Sequence, residues 1–134
     1  MHKPEDLPSG TERILFVDDE PSIAKMGCQN LEGLGYSITT RTSSVEALEL
    51  FHSKPNDFDL VITDMTMPNM TVDQLAVEMM NIRPDIPVIL CTGYSKIISD
   101  EMAAEIGIKA FTYKPVLKAD LAKTVRKVLD ETKA

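Results

Sequence analysis

Residues 13–21 read Arg13-Ile14-Leu15-Phe16-Val17-Asp18-Asp19-Glu20-Pro21. An unbroken apolar run from Ile14 to Val17 does not alternate, as a half-exposed strand would. It suits a short strand covered on both faces. The run stops at consecutive acids, Asp18-Asp19-Glu20, and Pro21 suits the first turn of a helix. The stretch therefore predicts a buried strand, a carboxylate-rich turn and a helix.

The same unit recurs along the chain. After β1 (13–17), helix α1 is expected from Pro21 to Leu34, with Ile23, Met26, Cys28, Leu31 and Leu34 at helical spacing and Gly33 and Gly35 as its stop. Strand β2 follows at 36–41. Ser43 or Ser44 can cap α2, whose apolar face is read as Val45, Leu48 and Phe51 and which Pro55 and Asn56 end. Strand β3 covers 58–63 and ends at Asp64. Helix α3 lies near 72–82, β4 at 86–91, α4 near 97–105, β5 at 109–113 and α5 at 117–131. Strands alternating with helices imply a parallel sheet with helices on both faces. Right-handed crossovers leave a doubly wound α/β form, (βα)5, with the flavodoxin-like strand order 2-1-3-4-5.

The 134 residues fit one domain with a core. Residues 1–11, with Pro4, Pro8 and Gly10, read as a linker or disordered lead-in, 12–131 as the domain, and 132–134 as a tail. The net charge of −7 opposes binding to a phosphate backbone, so no nucleic-acid partner is expected. Neither a leader sequence nor an apolar membrane span is visible, which gives a cytoplasmic reading without direct membrane contact. Cys28 and Cys91 belong to no metal or redox spacing and read as reduced, mostly buried thiols.

In such a sheet all strands end along one edge, where ligands bind. Asp18, Asp19 and Glu20 follow β1, Asp64 follows β3, Thr92 follows β4 and Lys114 follows β5. Clustered carboxylates repel one another, and a hard divalent cation such as Mg2+ relieves that repulsion through oxygen ligands. A lysine and a hydroxyl beside them can grip a phosphoryl group. The set makes a site for phosphoryl transfer onto a carboxylate.

With Val17-Asp18-Asp19-Glu20-Pro21, Thr63-Asp64-Met65-Thr66-Met67-Pro68, Thr92-Gly93 and Lys114-Pro115 in order across 13–131, the chain resembles the receiver domain of two-component response regulators. The resemblance implies that Asp64 is the phosphoacceptor. It implies that Asp19 and Asp64 bind Mg2+ directly, together with the main-chain oxygen of Thr66, while Asp18 acts mainly through water. It implies that Thr92 closes on the phosphoryl group, that Lys114 pairs with it, and that Phe111 occupies the aromatic switch position on a face built from α4, β5 and α5. Pro115 would make a cis bond that aims Lys114 inward. The donor would be a histidine kinase or a histidine phosphotransfer protein or domain. The family often carries glycine where this chain has Val72, which puts the path after Asp64 in question.

Residues 8–21 and Cys91-Thr92-Gly93-Tyr94-Ser95 resemble receivers that follow the kinase core of hybrid histidine kinases. A stand-alone response regulator is the alternative. A Mg2+-dependent aspartyl-phosphate phosphatase is the competing enzyme class, but it would want an acid where Thr66 stands. A flavodoxin-like cofactor binder would have to seat phosphate against Asp18-Asp19-Glu20. The chain is thus expected to be no enzyme beyond its own phosphorylation and dephosphorylation.

Overall fold

The computed structural model describes residues 10–64, 72–92, 110–113 and 118–133, with main chain alone at some positions, Asp64, Cys91, Thr92 and 110–113 among them. Five strands, β1 (Arg13–Val17), β2 (Ser37–Arg41), β3 (Leu60–Asp64), β4 (Val88–Thr92) and β5 (Ala110–Tyr113), form one parallel sheet in the order β2-β1-β3-β4-β5. The doubly wound expectation is borne out. Described helices are α1 (Pro21–Glu32), α2 (Ser44–Ser53), α3 (Val72–Ile82) and α5 (Lys118–Lys133). The expected α4 lies outside the described residues. α5 runs two residues beyond the 131 read from the sequence.

The unbroken apolar strands have a direct cause in the packing. Leu15 and Val17 point into one core with Phe51 of α2 and with Leu75 and Met79 of α3. Ile14 and Phe16, on the opposite face of the same strand, join Leu31 of α1 and Leu121 and Val125 of α5. Phe16 and Phe51 are almost wholly buried, and each contributes roughly 1.5–3 kcal/mol by leaving water.

Two helix faces differ from the expectation. In α1 the buried residues are Ala24, Gly27 and Leu31, while Met26 is 45% exposed. Small residues face the sheet because the Phe16 ring occupies the space: a Cβ on Gly27 would lie 2.5 Å from Phe16 Cζ. In α2 the buried residues are Ser44, Ala47 and Phe51, and Val45 is exposed. Ser43 caps α2 as expected, its hydroxyl accepting from the Glu46 N–H at 3.4 Å. Cys28 is half-buried rather than buried; burial, with Glu32 adding to it, pushes its thiol pKa up, as suits an unreactive side chain.

At the amino-terminal edge of the sheet, Arg126 of α5 grips the buried Glu12 with two hydrogen bonds, of 3.1 and 2.7 Å, and pairs with Asp130 at 2.8 Å. Gly10, assigned to the lead-in by sequence, donates to the Leu34 carbonyl at 3.2 Å. It lies so close to Glu12, Arg126 and Tyr36 that a side chain would collide with them. Gly35 turns the chain into β2 at φ +103°, a conformation that favours glycine.

Gly27→Val should destabilise the fold by about 2–3 kcal/mol through overpacking against Phe16. Adding Phe16→Leu should recover part of that loss. Urea denaturation of the single and double variants checks both; an additive double variant would contradict the contact.

Candidate functional site

β1 and β3 are parallel neighbours in which Val17 faces Thr63. The next residue after each is an aspartate, Asp18 just past the end of β1 and Asp64 the last residue of β3. Adjacent strands lie about 4.8 Å apart, so this register carries the main chain of both acids to one edge of the sheet. Asp64 faces Cys91 on β4, and Thr92, one step further on, faces Tyr113 of β5. The four strand ends therefore share one edge, as the sequence predicts.

Asp18 is only 1% exposed. Its N–H donates to the Arg41 carbonyl at 3.1 Å. Its Oδ1 accepts from the Glu20 N–H at 2.9 Å, forming the turn that feeds α1. Asp18 thus does both things that a strand-end acid can do: it shapes the start of a helix and brings a buried carboxylate to the edge. Asp19 is exposed at the mouth of the same turn. Burying a carboxylate this deeply is costly unless hydrogen bonds or a cation compensate.

The donor set is carboxylate oxygen, which suits a hard cation such as Mg2+. Among the described residues no group of three His, Cys, Asp or Glu side chains is assembled, Asp64 being described in main chain alone. Thr66, Lys114 and Pro115 lie outside the described residues, as does the bond between the last two. Thr92 and Phe111 are placed by main chain, at the end of β4 and beside Leu90 on β5. Val72 is the first residue of α3. A helical backbone accepts a β-branched residue, so glycine is not required at that position.

Sequence reading passed over Arg41. It closes β2 at the same edge, and its carbonyl fixes the main chain of Asp18. Its position as a strand-end residue was the available signal, but β2 lies at the margin of the sheet.

The sequence profile of the response regulator receiver domain matches residues 14–126. The chain belongs to the response regulator receiver family. This receiver is 33% identical to the sensor kinase CckA of Brucella abortus across 98% of its length, and spans 14% of that protein. It is 33% identical to the transcriptional regulatory protein GlrR of Escherichia coli, again over 98% of its length and across 28% of that protein. A receiver domain structure from Clostridium thermocellum superposes with a TM-score of 0.85 at 32% identity, covering 91% of this chain and 97% of the other. The protein is thus a receiver domain of two-component signalling, in a family that generally binds Mg2+ and interacts with histidine kinases or phosphotransfer proteins. No helix among the described residues is long and apolar enough to cross a membrane.

The Asp18 turn has a measurable signature. Asp18→Ala should speed hydrogen exchange at the Glu20 amide about tenfold, the equivalent of one charge-assisted hydrogen bond. Asp18→Asn, which keeps an oxygen acceptor, should preserve the protection. Exchange followed by NMR checks this; equal protection in the alanine variant would contradict the geometry.

Proposed function

We propose that Asp64 is the phosphoacceptor of this receiver. The observation that supports the proposal is the register of β1 and β3, in which β3 ends at Asp64 on the same edge of the sheet where the buried Asp18 follows β1. A carboxylate oxygen of Asp64 attacks the phosphorus of a phosphohistidine. A phosphorus–oxygen bond forms, the phosphorus–nitrogen bond breaks, and the imidazole leaves with the electron pair and takes up a proton. Asp18, Asp19, Asp64 and the main-chain oxygen of Thr66 would hold Mg2+, Asp18 mainly through water. When bound, Mg2+ supplies positive charge that offsets repulsion between the carboxylates and the incoming phosphoryl oxygens.

Thr92 closes on the phosphoryl oxygens and Lys114 pairs with them, its direction set by Pro115. The movement of Thr92 makes room for Phe111, and the surface formed by α4, β5 and α5 changes its partners. The donor is a histidine kinase or a histidine phosphotransfer protein or domain. The receiver, read from the sequence as 12–131 between a linker and a tail, extends to Gly10, which bonds to the Leu34 carbonyl, and to Lys133, where α5 ends.

The parent is a hybrid histidine kinase in this reading, supported by the likeness to the Brucella sensor kinase over 98% of this chain. A stand-alone single-domain response regulator is the alternative, since the identity to the Escherichia coli transcriptional regulatory protein is equal. The chain turns over no external substrate, binds no nucleic acid, makes no direct membrane contact and acts in the cytoplasm.

Incubation with Mg2+ and acetyl phosphate should add one phosphoryl group to the wild type and none to Asp64→Asn, read by intact mass. Labelling of the variant to the same extent would overturn the assignment.

Mg2+ should also raise the melting temperature by mass action, because it binds the folded acidic edge. Asp19→Ala should lose most of that rise, read by thermal melts across a Mg2+ titration. An unchanged rise would put the cation elsewhere.

A further inference from the structure

β2 lies at one margin of the sheet, and its residues Ser37–Arg41 pair with β1 on the inner side only. A groove of about 390 Å³ runs between this strand and the carboxyl-terminal half of α2, lined by Arg13, Thr39, Arg41, Lys54 and Asp57 among others. Thr39 is the register partner of Leu15, whose side chain belongs to the core under α2. Ser37, Thr39 and Arg41 therefore share the α2 side of β2, since alternate residues share a face. Ile38 also lines the groove, although it packs with the opposite core. The opening thus reaches the main chain of the strand.

The charges in the groove are unbalanced. Arg13 is engaged: it lies 3.9 Å from Asp57 and 3.7 Å from Asp59, and donates to the Asn56 carbonyl at 3.0 Å. Arg41 gives one hydrogen bond, to the Thr40 carbonyl at 2.7 Å. Among the described residues, neither Arg41 nor Lys54 forms an ion pair. Two cations without a carboxylate partner among the described residues thus line one groove of a chain whose net charge is −7.

We propose that this groove takes an acidic peptide in extended conformation, added along the free edge of β2. Strand addition uses the outward main-chain groups of an edge strand for affinity and alternate side chains for selectivity. An added strand would carry acids on every second residue toward the α2 side, where the Arg41 guanidinium and the Lys54 ammonium stand. The planar fork of arginine matches a carboxylate. From Ser37 to Arg41 the strand rises about 13 Å, at about 3.3 Å per residue, so a compact anion would use only one end of the groove. The occupied edge would border the acidic pocket, because the Arg41 carbonyl holds the Asp18 N–H at 3.1 Å. The proposal does not rest on the assignment of Asp64.

The probe is a short dye-labelled peptide of alternating aspartate and valine, titrated at physiological salt. Binding is read by fluorescence anisotropy and by amide shifts. The peptide should bind, with shifts concentrated on residues 37–41 and reaching Asp18. Arg41→Ala and Lys54→Glu should each weaken binding about tenfold, the equivalent of one charge-assisted hydrogen bond. Lys54 is exposed, so its substitution keeps the fold even if that of Arg41 disturbs it. A central proline in the peptide, which blocks strand pairing, should abolish binding. Four results would each overturn the proposal: no binding, affinity unchanged in both variants, equal binding of the proline peptide, or binding of tripolyphosphate in the groove where the peptide does not bind.

Discussion

The pairing of β1 with β3 is the constraint on which the site depends. Parallel strands held in a fixed register bring their next residues together wherever both strands end. Here that pairing sets Val17 against Thr63, and the next residues are Asp18 and Asp64. No side-chain attraction is needed to gather these acids, which repel one another. The hydrophobic burial of Ile14, Leu15, Phe16 and Val17 against Leu60, Val61 and Ile62 holds the strands in place. Core packing thus sets where the main chain of these acids runs, and a cation is what relieves the repulsion that gathered carboxylates carry.

Much of this was legible because the relevant signals are local. Apolar runs without alternation mark strands covered on both faces, and the two separate cores on either side of β1 are the reason. Helix faces were read less well. Met26 and Val45 fit helical spacing but are exposed, while Ala24, Gly27 and Ala47 do the packing. Spacing counts large apolar residues, whereas the surface beneath decides which sizes fit, and the Phe16 ring leaves room only for hydrogen at Gly27. The Glu12–Arg126 pair was beyond reach for another reason. Its members are 114 residues apart, and nothing local marks either one.

The site divides in the same way. Asp18, Asp64 and Thr92 are strand-end residues, and the strand order alone brings them to one edge. The turn made by Asp18 required coordinates, since an acid before a helix can face the backbone or the solvent. Val72 raised a doubt that rested on glycine's conformational freedom, and its place at the start of α3 removes the need for that freedom. Arg41 shows how a marginal strand is overlooked. Its carbonyl steadies Asp18 while its side chain faces a groove outside the acidic pocket.

The central claim is that one carboxylate at this edge, and not its neighbours, receives the phosphoryl group. Reductive trapping tests it most directly. Borohydride converts an acyl phosphate of aspartate into homoserine, which peptide mass mapping locates to a single residue. After phosphorylation in the presence of Mg2+, the account predicts homoserine at position 64 and intact aspartate at Asp18 and Asp19. Homoserine at either of those two positions, or none at position 64, would contradict it.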